Sequence, residues 1–171
     1  MIPEKFTTDY TGEPGERAFF LQGRGGEGSV TFMIEKQQVA VLAEKLRELL
    51  ILIDENDTVG STVAGRDPAL GLDAPLDTDT RVGAIGLAYD EDSDRMIVYV
   101  QAMDPDRDAA AGEEDEGEDV QFELRRDQAR AFVLHAIAVV NEGRPTCQLC
   151  GLPIDPAGHQ CPASNGHRLT G

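Results

Sequence analysis

Apolar residues follow two periodic patterns along the chain, one typical of strands and one typical of helices. Each pattern occurs twice. Over residues 30–34 and 120–124 every second residue is apolar, which predicts a strand in each segment. The apolar positions then change to helical spacing, which predicts helices over 35–53 and 126–141. The second helix is expected to end where Gly143 follows it. Each half of the chain therefore ends in a predicted strand and helix.

The two halves can be aligned with each other. Two β-rich runs that end in glutamine, 18–22 and 97–101, precede the aligned segments, and a turn-forming cluster precedes each run. A further strand is expected before each turn, over 6–11 in the first half and 82–89 in the second. Each half is therefore predicted to be a βββα unit. A shift of 90 residues pairs Val30, Phe32, Ile34, Gln38 and Leu42 with Val120, Phe122, Leu124, Gln128 and Phe132.

These elements predict an α+β protein with an internal duplication. The two βββα units, 1–53 and 81–141, are each too small to bury enough surface alone, so we expect them to pair. The expected result is one antiparallel sheet with both helices on one face. Segment 54–80 is rich in Asp, Gly, Thr and Pro and should connect the halves at the surface. The residues in it that suggest local packing are Leu70, Leu72 and Leu76.

The net charge of the chain disfavours one class of partner. There are 15 Lys and Arg against 32 Asp and Glu, and the resulting net charge of −17 repels a phosphate backbone and disfavours a nucleic-acid partner. The apolar runs are shorter than the ~20 residues of a membrane span. The first residues lack the pattern of a secretory signal. We therefore expect a cytoplasmic protein with no membrane partner.

Much of the negative charge lies in one segment, 104–119. Its acidic, alanine and glycine residues have almost nothing to bury, which predicts a solvated, disordered loop. Binding of calcium or magnesium is the alternative, because both ions prefer oxygen ligands. The ligand spacing of an EF-hand loop is absent from this segment, so disorder is the favoured interpretation.

The C-terminal tail, 142–171, contains the strongest chemical pattern in the sequence. All three cysteines of the chain lie there, in the spacing C-x2-C-x8-H-x-C. An odd number of cysteines cannot form a closed set of disulfides, and the tail has few large apolar residues. A structural zinc ion is therefore expected to organise the tail. The predicted ligands are Cys147, Cys150, His159 and Cys161.

The tail also has alternative interpretations. His167 can replace His159 as the fourth ligand, although it lies near the chain end, where fraying is common. Cys147 and Cys150 can instead form a redox pair, although the thioredoxin-like βαβ setting of such pairs is absent. Three cysteines and a water would make a catalytic zinc, but no His-x-Glu pair precedes the CxxC to supply a general base.

The seam between the two halves is a second candidate site, because seams of repeated structures are common pockets. Four polar residues near predicted strand ends can bind an anionic group there. Each of them is equally explained as an exposed strand terminus. These residues are Arg17, Gln22, Arg81 and Gln101.

The second predicted helix is apolar on two sides. Besides the stripe expected to face the core, it has an apolar strip where a solvated helix would place charge. Either the zinc tail or another protein is expected to cover this strip. It consists of Ala131, Leu134 and Ala138.

Five blocks of the sequence are specific in combination: 12–22, 35–39, 81–83, 127–132 and 147–162. Through them nearly the whole chain resembles an actinobacterial family of conserved hypothetical proteins, catalogued as domain of unknown function three-zero-nine-zero. The resemblance implies an acidic low-complexity loop in the same place and neighbouring genes for a kinase-like and a phosphoglycerate-mutase-like protein. It also implies Tyr at the position of His167 in many members, which favours His159 as the ligand. The resemblance implies no activity.

These observations favour a non-catalytic, zinc-containing adaptor or protein-interaction protein. The expected partner is a protein, and the resemblance suggests a kinase-like or a phosphoglycerate-mutase-like one. The alternative is an enzyme or a small-ligand-binding protein that takes a phosphate-containing ligand at the seam. Because the sequence contains no nucleophile, base and orienter set, P-loop, GxGxxG or HExxH pattern, no catalytic or cofactor-binding residue is predicted.

Overall fold

The residues described by the computed structural model are 1–13, 15–103, 119–142, 147–152, 154 and 159–164. They fall into two compact units, Met1–Val140 and Asn141–Gly171. The first unit is α+β, as predicted, with six strands in one sheet and two α-helices. The predicted acidic loop, 104–119, lies outside the described residues except for its last residue, Asp119, which begins a strand.

The strands and helices of the first unit lie close to their predicted positions. The predicted helix 126–141 has the expected bounds, and the predicted helix 35–53 begins one residue later than expected. Short 3-10 helices cover Thr58–Gly60 and Pro68–Leu70. In chain order the elements are β1 (Lys5–Thr11), β2 (Ala18–Gly25), β3 (Gly28–Ile34), α1 (Lys36–Ile53), β4 (Arg81–Asp90), β5 (Arg95–Met103), β6 (Asp119–Leu124) and α2 (Arg126–Asn141).

The sheet is mixed, and the prediction of a wholly antiparallel sheet is wrong at one place. The strands are ordered β1 to β6, and every neighbouring pair is antiparallel except β3 and β4. These two run parallel, with Met33 opposite Arg81 and the Met33 N–H donating to the Thr80 carbonyl at 2.9 Å. Strands joined by a tight hairpin must be antiparallel, but α1 and segment 54–80 form a long crossover between β3 and β4.

The two outer strands of the sheet approach each other. The Met1 ammonium donates to the Gln121 carbonyl at 2.6 Å, and the Glu123 N–H donates to the Met1 carbonyl at 2.9 Å. The rings of Phe6 on β1 and Phe122 on β6 have centroids 5.1 Å apart. The sheet therefore curls until the residues before β1 meet β6, which leaves β6 without a bare edge at this point.

One hydrophobic core joins all six strands to both helices. The buried positions of α1 recur at helical spacing and form a single stripe, as do those of α2. Because both stripes belong to the same core as the inward residues of the strands, each helix is held by packing on the sheet. None of the helices in the described ranges is both long and apolar enough to cross a membrane.

A glutamine in the first turn of each helix ties that helix to a distant strand. In α1, Gln38 accepts a hydrogen bond from the Glu35 N–H at 3.0 Å and donates to the Gly83 carbonyl at 2.9 Å. In α2, Gln128 accepts from the Arg125 N–H at 3.1 Å and donates to the Pro3 carbonyl at 2.8 Å. Each side-chain amide therefore caps its helix and also holds the backbone near the start of a strand from the other half.

Segment 54–80 covers the face of β1 and β2 that points away from the core. The Lys5 ammonium donates to the Gly71 carbonyl at 2.6 Å and forms an ion pair with Asp73 at 2.7 Å. Gln22, which is only 1 % exposed, accepts from the Asp73 N–H and donates to the Asp73 carbonyl, both at 2.9 Å. Leu70, Leu72 and Leu76 are half-buried, as their sequence positions suggested.

The same segment contacts α2. The Asp57 carboxylate, whose side chain is 1 % exposed, receives two hydrogen bonds from Arg130, at 3.1 and 2.6 Å. His135 accepts from the Asp67 N–H at its Nδ1 atom, and its Nε2 lies 3.1 Å from the Thr8 carbonyl. The histidine is therefore neutral with its proton on Nε2, and it links segment 54–80, α2 and β1.

The predicted apolar strip of α2 is partly covered. Ala131, Leu134 and Ala138 are half-buried, and Leu134 packs against the core. Segment 54–80 binds α2 through Asp57 and Asp67. The expectation that the zinc tail or another protein covers the strip stays a prediction.

The close approach of Phe122 to β2 requires glycine at position 23. A Cβ on Gly23 would lie 2.2 Å from Cε1 of Phe122. We expect Gly23→Ala to lower the free energy of unfolding by about 1–3 kcal/mol, because the buried ring or the strand must shift. The control is Gly26→Ala, where a Cβ has no neighbour within 4 Å and the change should be within about 0.5 kcal/mol. Equal urea stabilities of the two variants would contradict the packing of Phe122 on β2.

Burial of His135 makes the stability of the first unit depend on pH. Desolvation lowers the pKa of His135 below its usual 6.5, against smaller opposing effects of Asp9, Asp67 and the Thr8 carbonyl. As pH falls, His135 is therefore protonated in the unfolded chain at a higher pH than in the folded chain. The free energy of unfolding should for this reason fall as pH drops below about 6.5. Urea unfolding of the parent and of His135→Gln at pH 7.5 and 5.5 checks this. The variant should lose less stability than the parent over this interval, and equal losses would contradict the account.

Candidate metal centre

The second unit contains a tight turn around two cysteines. The Gly151 N–H donates to the Cys147 carbonyl at 2.8 Å, and the Cys147 N–H donates to the Leu152 carbonyl at 2.8 Å. Gly151 has a φ of 71°, in the left-handed region that glycine adopts without steric cost. This conformation turns the chain directly after Cys150 and places both cysteines on one side of the loop.

Four side chains converge on one point next to this turn. The ligand atoms of Cys147, Cys150, His159 and Cys161 all lie within 4.8 Å of one another. The Cys147 and Cys161 sulfurs are 3.7 Å apart, and the Cys150 sulfur is 3.3 Å from Nε2 of His159. None of the three cysteines forms a disulfide. The residues predicted as ligands are therefore the ones that the fold brings together, and they can hold a metal ion.

The spacings fit a tetrahedral site. Zinc–sulfur bonds of about 2.3 Å and zinc–nitrogen bonds of about 2.05 Å put two thiolates about 3.8 Å apart and a thiolate and an imidazole about 3.6 Å apart. The observed separations of 3.7 and 3.3 Å differ from these values by a few tenths of an ångström. These two pairs of ligand atoms are thus close to tetrahedral spacing, and the remaining pairs lie within 4.8 Å.

Backbone groups of the turn prepare Cys147 to bind a cation. The N–H groups of Cys150 and Leu149 donate to the Cys147 sulfur and lower the pKa of this thiol to about 6. The N–H of Leu152 acts in the same sense on Cys150, but burial and the neighbouring Cys161 and Cys147 sulfurs outweigh it and raise the pKa of Cys150. The turn therefore favours the thiolate form of Cys147, which is the form that binds a cation.

The positions of the four ligand atoms argue against two of the three alternative interpretations of the tail. A fourth ligand atom is present in His159, so a site of three cysteines with an open position is not the arrangement found. A redox pair of Cys147 and Cys150 does not account for the presence of His159 and Cys161 in the same cluster. His167, the other candidate for the fourth ligand, lies outside the described residues.

The four residues predicted at the seam separate into two groups. Arg17 and Arg81 line one cavity beside the β3–β4 junction. Gln22 is buried and holds Asp73, and Gln101 is exposed on β5, so neither belongs to that cavity. Lys36 also lines this cavity and was not among the predicted site residues, although its place directly after a strand and at the start of a helix is visible in the sequence.

Comparison with known proteins gives a family for the chain. A family model described as "Protein of unknown function (DUF3090)" matches residues 1–161, which include both the first unit and the four clustered residues. No curated protein and no solved structure shows a significant match. The match covers most of the sequence and agrees with the resemblance carried by its motifs. The chain therefore belongs to the family of unknown function DUF3090.

Proposed function

We propose that the second unit is a structural zinc module and that the chain is a non-catalytic adaptor, which uses this module to bind another protein. The observation that carries the proposal is the mutual approach of the four ligand atoms within 4.8 Å. Three thiolates and one imidazole are a ligand set typical of structural zinc. Four protein ligands also close the coordination shell and leave no position for the water that catalytic zinc requires.

Zinc would supply the stability that burial cannot supply in this unit. Leu149 and Leu152 are 67 % and 48 % exposed, so they contribute little to a core. Structural zinc contributes about 10–16 kcal/mol in finger-like peptides at neutral pH, which exceeds what a few leucines can provide. The ion would therefore fix the turn, and the turn would hold its two leucines at the surface.

The exposed leucines are the proposed contact with the partner protein. Apolar side chains held by a rigid turn lose little conformational entropy when they are covered, so they contribute efficiently to binding. The partner is proposed to be a protein with an apolar groove. The kinase-like and phosphoglycerate-mutase-like proteins implied by the family resemblance are the first candidates.

The first unit is proposed to be an internal duplication of a βββα unit. Each half has three antiparallel strands followed by a helix. The hydrogen bonds of Gln38 to Glu35 and Gly83 have counterparts in those of Gln128 to Arg125 and a strand-entry carbonyl before β1. In each half a capping amide binds the strand entry of the other half. This repeated arrangement supports a common origin of the two halves.

The strand pairing also changes one detail of the proposed alignment. If Ile34 is equivalent to Leu124, then their strand partners, Phe19 and Met96, are equivalent as well. The sequence alignment of 18–22 with 97–101 instead matches Phe19 with Val98, which lies two residues after Met96. A slip of two residues keeps the same side chains on the same face, so alternation alone cannot detect it.

A second candidate function is the binding of a small phosphate-containing ligand at the seam of the first unit. It is favoured by one observation, the presence of Arg17 and Arg81 in a single cavity.

Metal analysis of the purified chain tests the zinc site. We expect about one equivalent of zinc in the parent and its loss in Cys147→Ser, because removing one thiolate opens the shell. His159→Ala should bind zinc at least about 100-fold more weakly, because loss of a direct ligand costs more than the ~10–100-fold typical of loss of an outer-shell partner. His167→Ala is the matched control that should retain parental affinity. Equal loss of affinity in the two histidine variants, or a parent without zinc after purification in zinc-containing medium, would contradict the proposed ligand set.

Binding of purified partner candidates tests the adaptor role. The double variant Leu149→Ser/Leu152→Ser should keep its zinc but bind the kinase-like or the phosphoglycerate-mutase-like protein at least about tenfold more weakly, because two apolar contacts are removed. Val63→Ser is the control, since Val63 is 90 % exposed and lies in the other unit. The proposal fails if titration calorimetry gives the parent no affinity for either protein, or gives the double variant the affinity of the control.

A further inference from the structure

One face of α1 is exposed to solvent although it carries large apolar side chains. Its residues form a stripe along the helix with spacings of four, three and four positions: Val41, Lys45, Glu48 and Leu52. Val41 is 48 % exposed and Leu52 is 80 % exposed. The buried residues of α1 lie on a different side of the helix and pack in the core. The exposed stripe is therefore separate from the side that holds α1 on the sheet.

The exposed stripe borders an apolar groove between α1 and β4. Two adjoining cavities of about 250 and 390 Å³ lie along this groove. Both are lined by Lys45 on α1 and by Ile85 and Leu87 on β4, and these two apolar residues are only half-buried. Val41 lines one cavity and Leu52 lines the other. One face of the molecule thus presents protruding apolar side chains next to recesses that can receive such side chains.

The corresponding face of α2 is covered within the chain. By the proposed repeat, Lys45 occupies the position of His135, and Val41 occupies that of Ala131. His135 is only 1 % exposed and accepts a hydrogen bond from the Asp67 N–H of the connecting segment. Ala131 is half-buried. A face that the second half uses for packing is therefore exposed in the first half.

The residues of the exposed stripe are complementary to themselves when two helices run antiparallel. A twofold axis midway between Lys45 and Glu48 places Val41 of each copy against Leu52 of the other. The same axis places Lys45 of each copy against Glu48 of the other. A parallel pair of helices would instead set lysine against lysine and glutamate against glutamate, which repel each other. The order of charges along the stripe therefore favours an antiparallel pair.

The exposed stripe is also neutral within a strongly acidic chain. The net charge of −17 opposes association of two copies wherever acidic groups face each other. On the stripe, the Lys45 ammonium and the Glu48 carboxylate form an exposed ion pair at 2.8 Å. Because exposed pairs of this kind contribute little to stability, the two groups can pair with those of a second copy at little cost. A contact through this stripe avoids the repulsion expected elsewhere.

We propose that the chain forms a twofold-symmetric dimer through the exposed stripe of α1, with a second copy of the chain as the partner. The apolar ends of each stripe pack beside the α1–β4 groove of the other copy. Residues 41–52 span about 17 Å of helix, so the contact is small and its Kd is on the order of 10 µM. The dimer concerns the first unit, goes beyond the adaptor role of the second and does not require zinc.

Sedimentation equilibrium of the full, zinc-loaded chain tests the dimer. We expect the mass of the parent to rise from that of a monomer to that of a dimer between about 1 and 500 µM. Val41→Ser and Leu52→Ser should each weaken dimerisation about tenfold or more, because each removes an apolar contact from both copies. Val63→Ser changes another exposed valine, 90 % exposed and outside α1, and should dimerise as the parent does. Cys147→Ser should also dimerise normally, which separates this proposal from the zinc site.

Charge reversal tests the pairing itself. Lys45→Glu makes the exposed stripe acidic and Glu48→Lys makes it basic, so each variant alone should be monomeric and an equimolar mixture should form a heterodimer. The double variant Lys45→Glu/Glu48→Lys restores the antiparallel pairing and should dimerise as the parent does. Both side chains are exposed, so these variants should remain folded, which urea unfolding checks.

Three results would each overturn the proposal. The first is a parent that stays monomeric over the whole concentration range. The second is equal dimerisation of Val41→Ser and Val63→Ser. The third is a mixture of Lys45→Glu and Glu48→Lys that contains no heterodimer.

Discussion

The first unit depends on two short parallel contacts, one between β3 and β4 and one between Met1 and β6. A short parallel contact supplies few backbone hydrogen bonds, so it is a weak connection by itself. Gln38 and Gln128 reinforce these contacts, because each amide binds a helix start and a strand entry at once. The burial of both helices on one core then holds the halves together as a whole.

The same junction explains why the cavity lined by Arg17 and Arg81 exists. At the β3–β4 contact the pairing is limited to the region of Met33 and Arg81, so β4 diverges from β3 next to the start of α1. The space left there is lined by the ends of several elements, where charged residues can sit without entering the core. Segment 54–80 has a different role. It packs on β1, β2 and α2 through Gln22, Arg130 and His135, and so covers surfaces that the sheet and helices leave open.

The sequence predicted the elements of this fold well, because alternation and helical spacing are local signals. The cysteine and histidine spacing predicted the cluster in the second unit for a similar reason, since Cys147 and Cys150 share one turn. The parallel contact of β3 with β4 could not be predicted in this way, because it does not change which side chains face the core.

Polar contacts between residues far apart in the chain also could not be predicted from the sequence. His135 sits on the buried side of α2, and its partners come from segment 54–80 and β1, far away in the chain. Arg17 and Arg81 were identified as candidates because they flank strands, yet their meeting with Lys36 in one cavity depends on the order of strands in the sheet. Local patterns carry no information about such contacts until the topology is known.

Native-state hydrogen exchange at the amides of Met33 and Glu123 tests the paired junctions most directly. Each amide donates across a parallel contact, to the carbonyls of Thr80 and Met1. The account predicts that both amides exchange only through unfolding of the whole first unit, with the same free energy as urea unfolding gives. Fast, denaturant-independent exchange at Glu123, as at the uncovered edge of an open sheet, would contradict it.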